Sequence, residues 1–409
     1  MSLPSIERRR SLQLVIALGL LSARARADVP PPASDAKPPK SGIEVGLFPL
    51  IGGNTDTGFG AGAIGGVASF DPTNPIYLWK LDFSGFYATK GFPPTPSYID
   101  AATKLTLPQL LCDHLRLEIR PAFTLDAALP FYGFGNKPFV PSETVADRDF
   151  YQRLHTGVSV SARWRLSPRW FVVSGLKGTL NKVTTEPGST LSNVLATVDP
   201  YLTKYHGVIR LEAGIAYDSR DNEIAPTKGQ WLQLTARESP RLGDAIPYDY
   251  RQYNATARFY FTLIPRTLLL AFRGVVDLQA GNVPFYEESR FEDTSAIGGG
   301  QGVRGVPAYS FYGRAKVFGN AEVRLRAWVF NAMKRRFNIG FAGFFDAGRL
   351  WTDIKTARPE LDGRGLSLHY GIGGGIRLQQ GRAFLIRADV AWSPDAKPIG
   401  AYLMAEQAF

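Results

Sequence analysis

The chain has 409 residues, of which 44% are hydrophobic, 12% aromatic and 20% charged. It is too apolar and too aromatic for a disordered protein, and it has no apolar run of the roughly 20 residues that a membrane-spanning helix needs. The net charge is +11, but 47 basic residues are interspersed with 36 acidic ones, so no basic stripe indicates a nucleic-acid partner.

The first 27 residues have the pattern of a secretory signal peptide. Three consecutive arginines precede an apolar run at residues 12–21, and Ala25 and Ala27 provide a small-residue cleavage site. We therefore expect residues 1–27 to direct export and to be removed.

Residues 28–42 contain five prolines, which predicts an extended linker. We expect the folded part to cover residues 43–409, with no room for a periplasmic domain before it. Cys112 is the single cysteine, so an internal disulfide and a cysteine metal cluster are excluded.

From residue 43 onwards the chain alternates between apolar and polar residues. At 322–329, for example, the odd positions are apolar, whereas Glu322, Arg324 and Arg326 occupy even positions. A period of two predicts β-strands. The segments are roughly ten to sixteen residues long, enough for tilted strands to cross a bilayer.

The alternation and the turn signals predict sixteen strands, and strand ends uncertain by a few residues leave 14 or 18 open. The predicted strands are 43–50, 57–70, 76–90, 97–108, 112–128, 150–166, 168–183, 203–218, 229–239, 248–264, 266–280, 315–330, 335–351, 365–379, 382–394 and 399–409. We therefore predict an all-β fold, a 16-stranded antiparallel transmembrane β-barrel. A closed ring of strands leaves no unpaired edge in lipid.

One predicted connection, at residues 281–314, is much longer than a hairpin turn. Connections of this length are usually functional or disordered. It contains the sequence Gly-Gly-Gly-Gln-Gly-Val-Arg-Gly at 298–305, and the second strand after it carries Phe-Phe-Asp-Ala-Gly at 344–348.

These two motifs resemble the signature of BamA-type outer-membrane assembly factors, the bacterial surface antigen barrels, to which two-partner secretion transporters are related. In that family the loop folds into the lumen, and its arginine pairs with carboxylates on the following strands. The resemblance implies a loop lock of Arg304 with Asp346 and Glu322. The matching motif residues are Gly299, Gly300, Val303 and Gly305 in the loop and Phe344 and Gly348 in the strand.

Other segments extend the resemblance over the predicted barrel. They are the turn at 217–229, the aromatic-glycine loop at 131–136, and the ending Gln-Ala-Phe, in which Phe409 would act as a C-terminal signal. Two features depart from the family. Val306 stands where members carry an aromatic residue, a place that Tyr309 or Phe311 could take. Members also carry POTRA domains before the barrel, and we expect none here.

The alternation supports the lock independently of the family. It places Glu322 and Asp346 on the same, lumen-facing side of two consecutive strands. An arginine brought there by the loop would find a fork-shaped set of acceptors. We expect this pairing to fix the loop rather than to perform chemistry.

Two other classes of function were weighed. A hydrolase would need a nucleophile and a base within reach of each other, but the four histidines lie on different predicted strands and in no metal-ligand spacing. The histidines are His114, His155, His206 and His369. We expect no enzyme, cofactor or metal. A passive or gated porin-like channel remains an alternative, because the inward face is charged.

The resemblance implies a role in inserting or translocating outer-membrane proteins in a Gram-negative bacterium. The first and last strands would meet at a weak seam that opens toward lipid. The expected partners are outer-membrane lipids and either unfolded client barrels or a separate periplasmic protein, with no nucleic acid.

Overall fold

The computed structural model describes most of the predicted barrel region. The described residues are 42–54, 57–70, 77–91, 93–111, 114–137, 150–195, 199–223, 225–291, 296–332, 335–380, 384–395, 399–405 and 408–409. The predicted signal peptide at 1–27, the predicted linker at 28–42 apart from its last residue, and Cys112 lie outside these ranges.

The described chain is built almost entirely of long strands. Their bounds are β1 Gly42–Asn54, β2 Gly58–Phe70, β3 Tyr77–Lys90, β4 Thr95–Leu110, β5 Leu115–Pro130, β6 Phe150–Arg165, β7 Trp170–Thr185, β8 His206–Asp218, β9 Gly229–Ser239, β10 Tyr250–Ile264, β11 Leu268–Gly281, β12 Ala315–Ala332, β13 Arg335–Trp351, β14 His369–Gln380, β15 Phe384–Trp392 and β16 Gly400–Ala405. Every pairing between neighbours is antiparallel, so the predicted all-β antiparallel architecture is confirmed.

The alternation in sequence becomes an inner and an outer face of the sheet. On β13, Phe341 and Phe345 are 38% and 50% exposed, whereas the residue that follows Phe345, Asp346, is fully buried. Large apolar side chains cover the outer face of the other strands in the same way, as Leu211 and Ile376 do. An apolar outer face and a polar inner face are what a bilayer selects in a strand protein.

The strands follow one another in chain order, and β16 lies beside β1, which is the strand order of a barrel. The junction of β1 and β16 is unlike the others. β1 pairs with β2 along its whole length, from Gly42 to Asn54, but its described register with β16 consists of the single pair Asn54–Tyr402. The length of β16 does not explain this, because all six of its residues are registered with β15.

The prediction that the last strand reaches residue 409 is wrong at its end. β16 stops at Ala405, and Phe409 lies on the inner face, where it packs against Tyr260 and Ala271.

Three short helices lie in the connections between strands, where the sequence pattern predicts no regular element. They are α1 Thr190–Leu195, α2 Phe285–Glu288 and α3 Pro359–Asp362. In the described part of the chain no helix is long and apolar enough to cross a membrane.

The connections β5–β6, β7–β8, β11–β12 and β13–β14 leave the sheet at the same end, which we call the loop end. The first three of these connections share an apolar cluster at this end of the lumen. Its buried members are Leu129, Phe131, Tyr151, Val183, Leu191, Leu202, Phe285, Tyr286 and Tyr312.

Candidate functional site: a buried arginine lock

The β11–β12 loop, residues 282–314, turns inward and presents Arg304 to the inner face of the sheet. The Arg304 side chain is fully buried. Its Nε and Nη2 donate to the two carboxylate oxygens of Asp346 at 2.7 and 2.9 Å, and its backbone N–H also donates to Asp346 at 3.1 Å. This is the bidentate fork that matches a guanidinium to a carboxylate.

Arg304 also reaches two further carboxylates through Nη1. Glu322 on β12 accepts at 2.6 Å and Asp389 on β15 accepts at 3.1 Å. The guanidinium carbon lies 3.4 Å from the centre of the Phe344 ring, a stacked arrangement that suits a planar cation. The structure therefore brings together Arg304, Asp346 and Glu322, as expected from the sequence, and adds Asp389.

Three wall arginines complete the charge balance around these acids. Arg324 donates to Glu322 at 2.7 Å, Arg387 donates to Asp389 at 2.5 Å, and Arg377 contacts Asp389 as well. Each carboxylate thus faces at least one guanidinium, and this pairing offsets the desolvation cost of a buried charge.

The glycine-rich stretch before Arg304 is held through its carbonyl oxygens. Arg387 donates to the Gly300 carbonyl at 2.5 Å, Arg273 to the Gln301 carbonyl at 2.5 Å and Asn320 to the Gly302 carbonyl at 2.8 Å. Wall side chains therefore bind the loop by its backbone, so this segment can lie flat against the sheet.

Two of the motif glycines are required by the close packing. Gly305 has φ +95°, a left-handed conformation that L side chains rarely adopt. At Gly348 a Cβ would lie 2.6 Å from Ile297 and 2.8 Å from Phe318, so any larger residue would push the loop off the wall. Val303 is fully buried in the same apolar cluster, and Gly299 accepts the turn with φ +79°.

The loop also ties to the last strand. The backbone N–H of Gly305 donates to the hydroxyl of Tyr402 on β16 at 3.0 Å. The sequence pattern singles out neither Tyr402 nor Asp389. Nothing in the alternation indicates which inward residue the loop reaches.

Val306 and the two residues considered for the missing aromatic, Tyr309 and Phe311, are divided between two apolar clusters. Val306 is fully buried beside Val303. Phe311 stacks on His369, with ring centres 3.9 Å apart. Tyr309 lies under the guanidinium of Arg290 at 4.4 Å. Phe311 therefore shares the apolar cluster of Val306, whereas Tyr309 packs against the cluster at the loop end.

Phe409 lies beneath Arg324 and Arg273, two arginines of the inner face. Arg324 donates to its carbonyl at 3.1 Å and Arg273 donates to that of Ala408 at 2.9 Å. Both guanidinium carbons lie 5.0 Å from the Phe409 ring centre. The C-terminal residues therefore share their contacts with the loop, because Arg273 binds both.

A second attachment crosses the loop end. The Asn136 side chain donates to the Ser367 carbonyl at 2.6 Å and accepts from the Leu350 amide at 2.9 Å. Next to it, the Gly135 amide donates to the Tyr312 carbonyl at 2.8 Å. The aromatic-glycine loop noted in the sequence thus joins the β5–β6, β11–β12 and β13–β14 connections.

The electrostatics of the loop favour a fixed ion pair. Burial alone would lower the pKa of Arg304, but its hydrogen bonds to Asp346 and the nearby charges of Glu322 and Asp389 outweigh burial and raise that pKa. A guanidinium that stays charged at every accessible pH binds and positions; it does not exchange protons.

Two of the described histidines have structural partners. His369 contacts Asp395 at 3.1 Å and the Asn136 carbonyl at 2.9 Å, and His206 contacts the Tyr286 hydroxyl at 2.8 Å. Across the described residues, no three His, Cys, Asp or Glu side chains are grouped so that they could hold a metal ion.

Comparisons with known proteins agree with this architecture. The family model of the Omp85 superfamily domain matches residues 101–401, and no curated protein matches. BamA from Haemophilus ducreyi lacking POTRA domains 1–3 is similar in structure, with a TM-score of 0.58 at 15% identity over 90% of this chain and 70% of that one.

Two solved structures of CdiB are also similar. The protein from Escherichia coli has a TM-score of 0.54 at 11% identity, over 90% of this chain and 63% of that one. The protein from Acinetobacter baumannii has a TM-score of 0.50 at 16% identity, over 88% and 59%. This chain therefore spans less than two thirds of each CdiB, and at these identities the similarity concerns the fold alone.

Proposed function

Because this chain belongs to the Omp85 superfamily, whose members are non-enzymatic outer-membrane barrels for protein assembly or transport, we propose that it inserts or translocates outer-membrane proteins at the β1–β16 junction. In this proposal the sheet is a closed 16-stranded barrel, and the β11–β12 loop plugs its lumen.

The observation that carries the proposal is the contrast between the two edges of β1. Toward β2, β1 is registered from Gly42 to Asn54, whereas toward β16 its described register is the single Asn54–Tyr402 pair. A strand edge with little registered pairing is a template on which another strand can form main-chain hydrogen bonds. An incoming client strand would find donors and acceptors already arranged along β1.

The surface around this edge suits a strand arriving from the bilayer. Ile43, Val45, Leu47 and Ile51 are all 63–71% exposed on the outer face of β1. A client strand that pairs with β1 would continue the same apolar face, so its backbone would be satisfied while its side chains stay in lipid.

The arginine lock gives this barrel a rigid side. Arg304 connects the loop to β12, β13 and β15, and Gly305 connects it to β16. We propose that the lock keeps the lumen closed while the seam opens, so that insertion proceeds without leakage. No nucleotide or cofactor is required.

Export and docking complete the proposal. Residues 1–27 would direct secretion, and residues 28–42 would be a short linker rather than a docking domain. Client binding would then depend on the seam itself or on a separate periplasmic protein, with outer-membrane lipids around the barrel.

The test is the folding rate of an unfolded client barrel added to liposomes with and without this protein. We expect acceleration by the protein and a loss of acceleration in Arg304→Ala. Arg314→Ala is the matched control, because Arg314 lies in the same loop but its side chain is 36% exposed and contacts only one carboxylate residue among its described ion pairs, Glu288. No acceleration by the unmodified protein, with or without periplasmic extract, would contradict the proposal.

A gated channel is the second candidate, because the inner face is less covered at the end opposite the loops. Asp82, Arg116 and Glu118 keep 22–28% of their side-chain surface exposed, whereas Glu322 and Asp346 keep none. Stable ion conductance in planar bilayers, together with no effect on client folding, would favour this function.

A further inference from the structure

The outer face of the sheet carries an apolar groove that extends over β3 to β8 and has a volume of about 980 Å³. We call this space the outer groove. It lies away from the β1–β16 junction and from the arginine lock. Small residues in its lining alternate with large ones. The small ones include Ala101, Gly178 and Gly207, and the large ones include Phe123, Val158 and Leu180.

Strand pairing places these six residues on the same side of the sheet. Ala101 is registered with Phe123, Gly178 with Val158, and Gly207 with Leu180. The three large partners are 37–48% exposed, and residues that pair directly share a face. The small residues are therefore on the outer face, and their short or missing side chains leave the depression.

The β9–β10 connection, residues 240–249, bounds the outer groove on one side. The backbone N–H of Gly207 donates to the Ala245 carbonyl at 2.6 Å. A Cβ at Gly207 would lie 3.0 Å from Ile246 Cγ1, and Ile246 also lines the groove. The connection thus packs over the start of β8 from the outside, so that main-chain contacts fix this border of the groove.

The location of the groove determines what can fill it. The outer face of a membrane-spanning strand is turned to lipid, where no water is available. At about 30 Å³ for a group of water size, the volume has room for roughly 30 such groups. This is the size of the paired acyl chains of one phospholipid. Because lipid tails are as apolar as the groove, a head-group contact is needed to favour one lipid over another.

A lysine provides this contact at the end of the groove that faces the β7–β8 connection. Lys182 follows Leu180 by two positions, so its side chain emerges on the same outer face. Its Nζ lies 5.0 Å from the ring centre of Tyr205, which is 58% exposed. Lysine and tyrosine on the lipid side of a strand are typical of the level of the lipid head groups.

From this arrangement we propose that the outer groove binds one anionic phospholipid, with its acyl chains along Gly178 and Ala101 and its phosphate beside Lys182. The site is on β3 to β8, whereas the proposed assembly site is at β1 and β16. The inference therefore goes beyond the assembly role and does not depend on it.

The first test is lipid retention by the full chain folded in detergent, measured by native mass spectrometry. Phosphatidylglycerol and phosphatidylcholine are added at equal concentration. We expect one retained lipid with about a fivefold preference for phosphatidylglycerol, as expected for one lysine beside an anionic lipid. Lys182→Gln should remove the preference. Lys355→Gln, an exposed lysine of the β13–β14 connection, should keep it.

The second test fills the groove. A Cβ at Gly178 meets no atom within 4 Å, so Gly178→Leu is accommodated without displacing the strand and occupies the space of the lipid chain. Retention should fall about tenfold through lost packing. Gly274→Leu is the matched control, because Gly274 is equally open and lies on β11, outside the groove.

Folding of each variant is checked by its heat-modifiable migration in gels, and only the folded fraction is compared. The proposal is overturned by equal retention of the two lipids in the unmodified protein, or by unchanged retention in Gly178→Leu. Retention of lipid A in place of phosphatidylglycerol would also overturn it, because the groove would then select another class of lipid.

Discussion

Replacing Arg304 by alanine should release the β11–β12 loop from the inner face. The substitution removes four side-chain hydrogen bonds to three carboxylate groups, all of them buried. The three acids are not affected equally. Glu322 keeps Arg324, and Asp389 keeps Arg377 and Arg387.

Asp346 carries most of the cost. Of its contacts with residue 304 it keeps only the backbone N–H at 3.1 Å, so a fully buried carboxylate loses its bidentate cation. Removing one partner of a buried pair costs about 3–5 kcal/mol. Since each 1.4 kcal/mol is a factor of ten, the population of barrels with a detached loop should rise at least about a hundredfold.

The assay combines urea unfolding, followed by tryptophan fluorescence, with conductance in planar bilayers. Arg304→Ala should lower the unfolding free energy and increase the frequency of open events. Arg314→Ala should cost less than Arg304→Ala, because the Arg314 side chain is 36% exposed and loses one ion pair, with Glu288. If Arg304→Ala has the stability and conductance of the unmodified protein, the lock does not hold the loop.

Three further predictions concern the seam, the loop end and pH. A disulfide joining cysteines at Asn54 and Tyr402, the registered pair of the seam, should stop client assembly, and reduction should restore it. Asn136→Ala removes two buried hydrogen bonds and should cost about 1–3 kcal/mol, seen as faster hydrogen exchange in the β13–β14 connection. The pKa of Glu287 is lowered to about 2, so its ionised form stabilises the folded protein. This stabilisation is complete above the unfolded-state pKa, about 4.3, and is lost as the pH falls toward 2. Hydrogen exchange of the β11–β12 loop should accelerate over that window.

Each of these has a control. A disulfide between Val323 and Gly343, a registered pair of the fully paired β12–β13 ladder, should leave client assembly unchanged; inhibition by both disulfides would argue against a moving seam. Asn193→Ala removes an exposed amide and should have little effect on exchange. In Glu287→Gln the acid-induced change should flatten, and an unaltered pH profile would show that another group titrates.

The strands could be predicted from the sequence because their determinant is local. Alternation of apolar and polar residues fixes which face meets lipid, and this alternation alone predicts that Glu322 and Asp346 lie on the inner side. The strand bounds at β9 and β13 match the predicted ones, 229–239 and 335–351.

The contacts that the sequence does not predict join segments that are far apart in the chain. Asp389 and Tyr402 lie some 85 and 97 residues from their loop partners, and no local period indicates which inward residue a loop reaches. The predicted last strand, 399–409, is too long for the same reason. Phe409 continues an apparent strand pattern, but the arginines that bind its segment come from β11 and β12.

The contacts of the loop divide the barrel mechanically. The loop is bonded to β12, β13, β15 and β16 through Arg304 and Gly305, so these strands behave as one braced panel. β1 and β2 form a hairpin joined to the panel by a single registered pair. In the proposed opening of the seam, the β1–β2 hairpin moves away from β16 while the strands bonded to the loop stay in place.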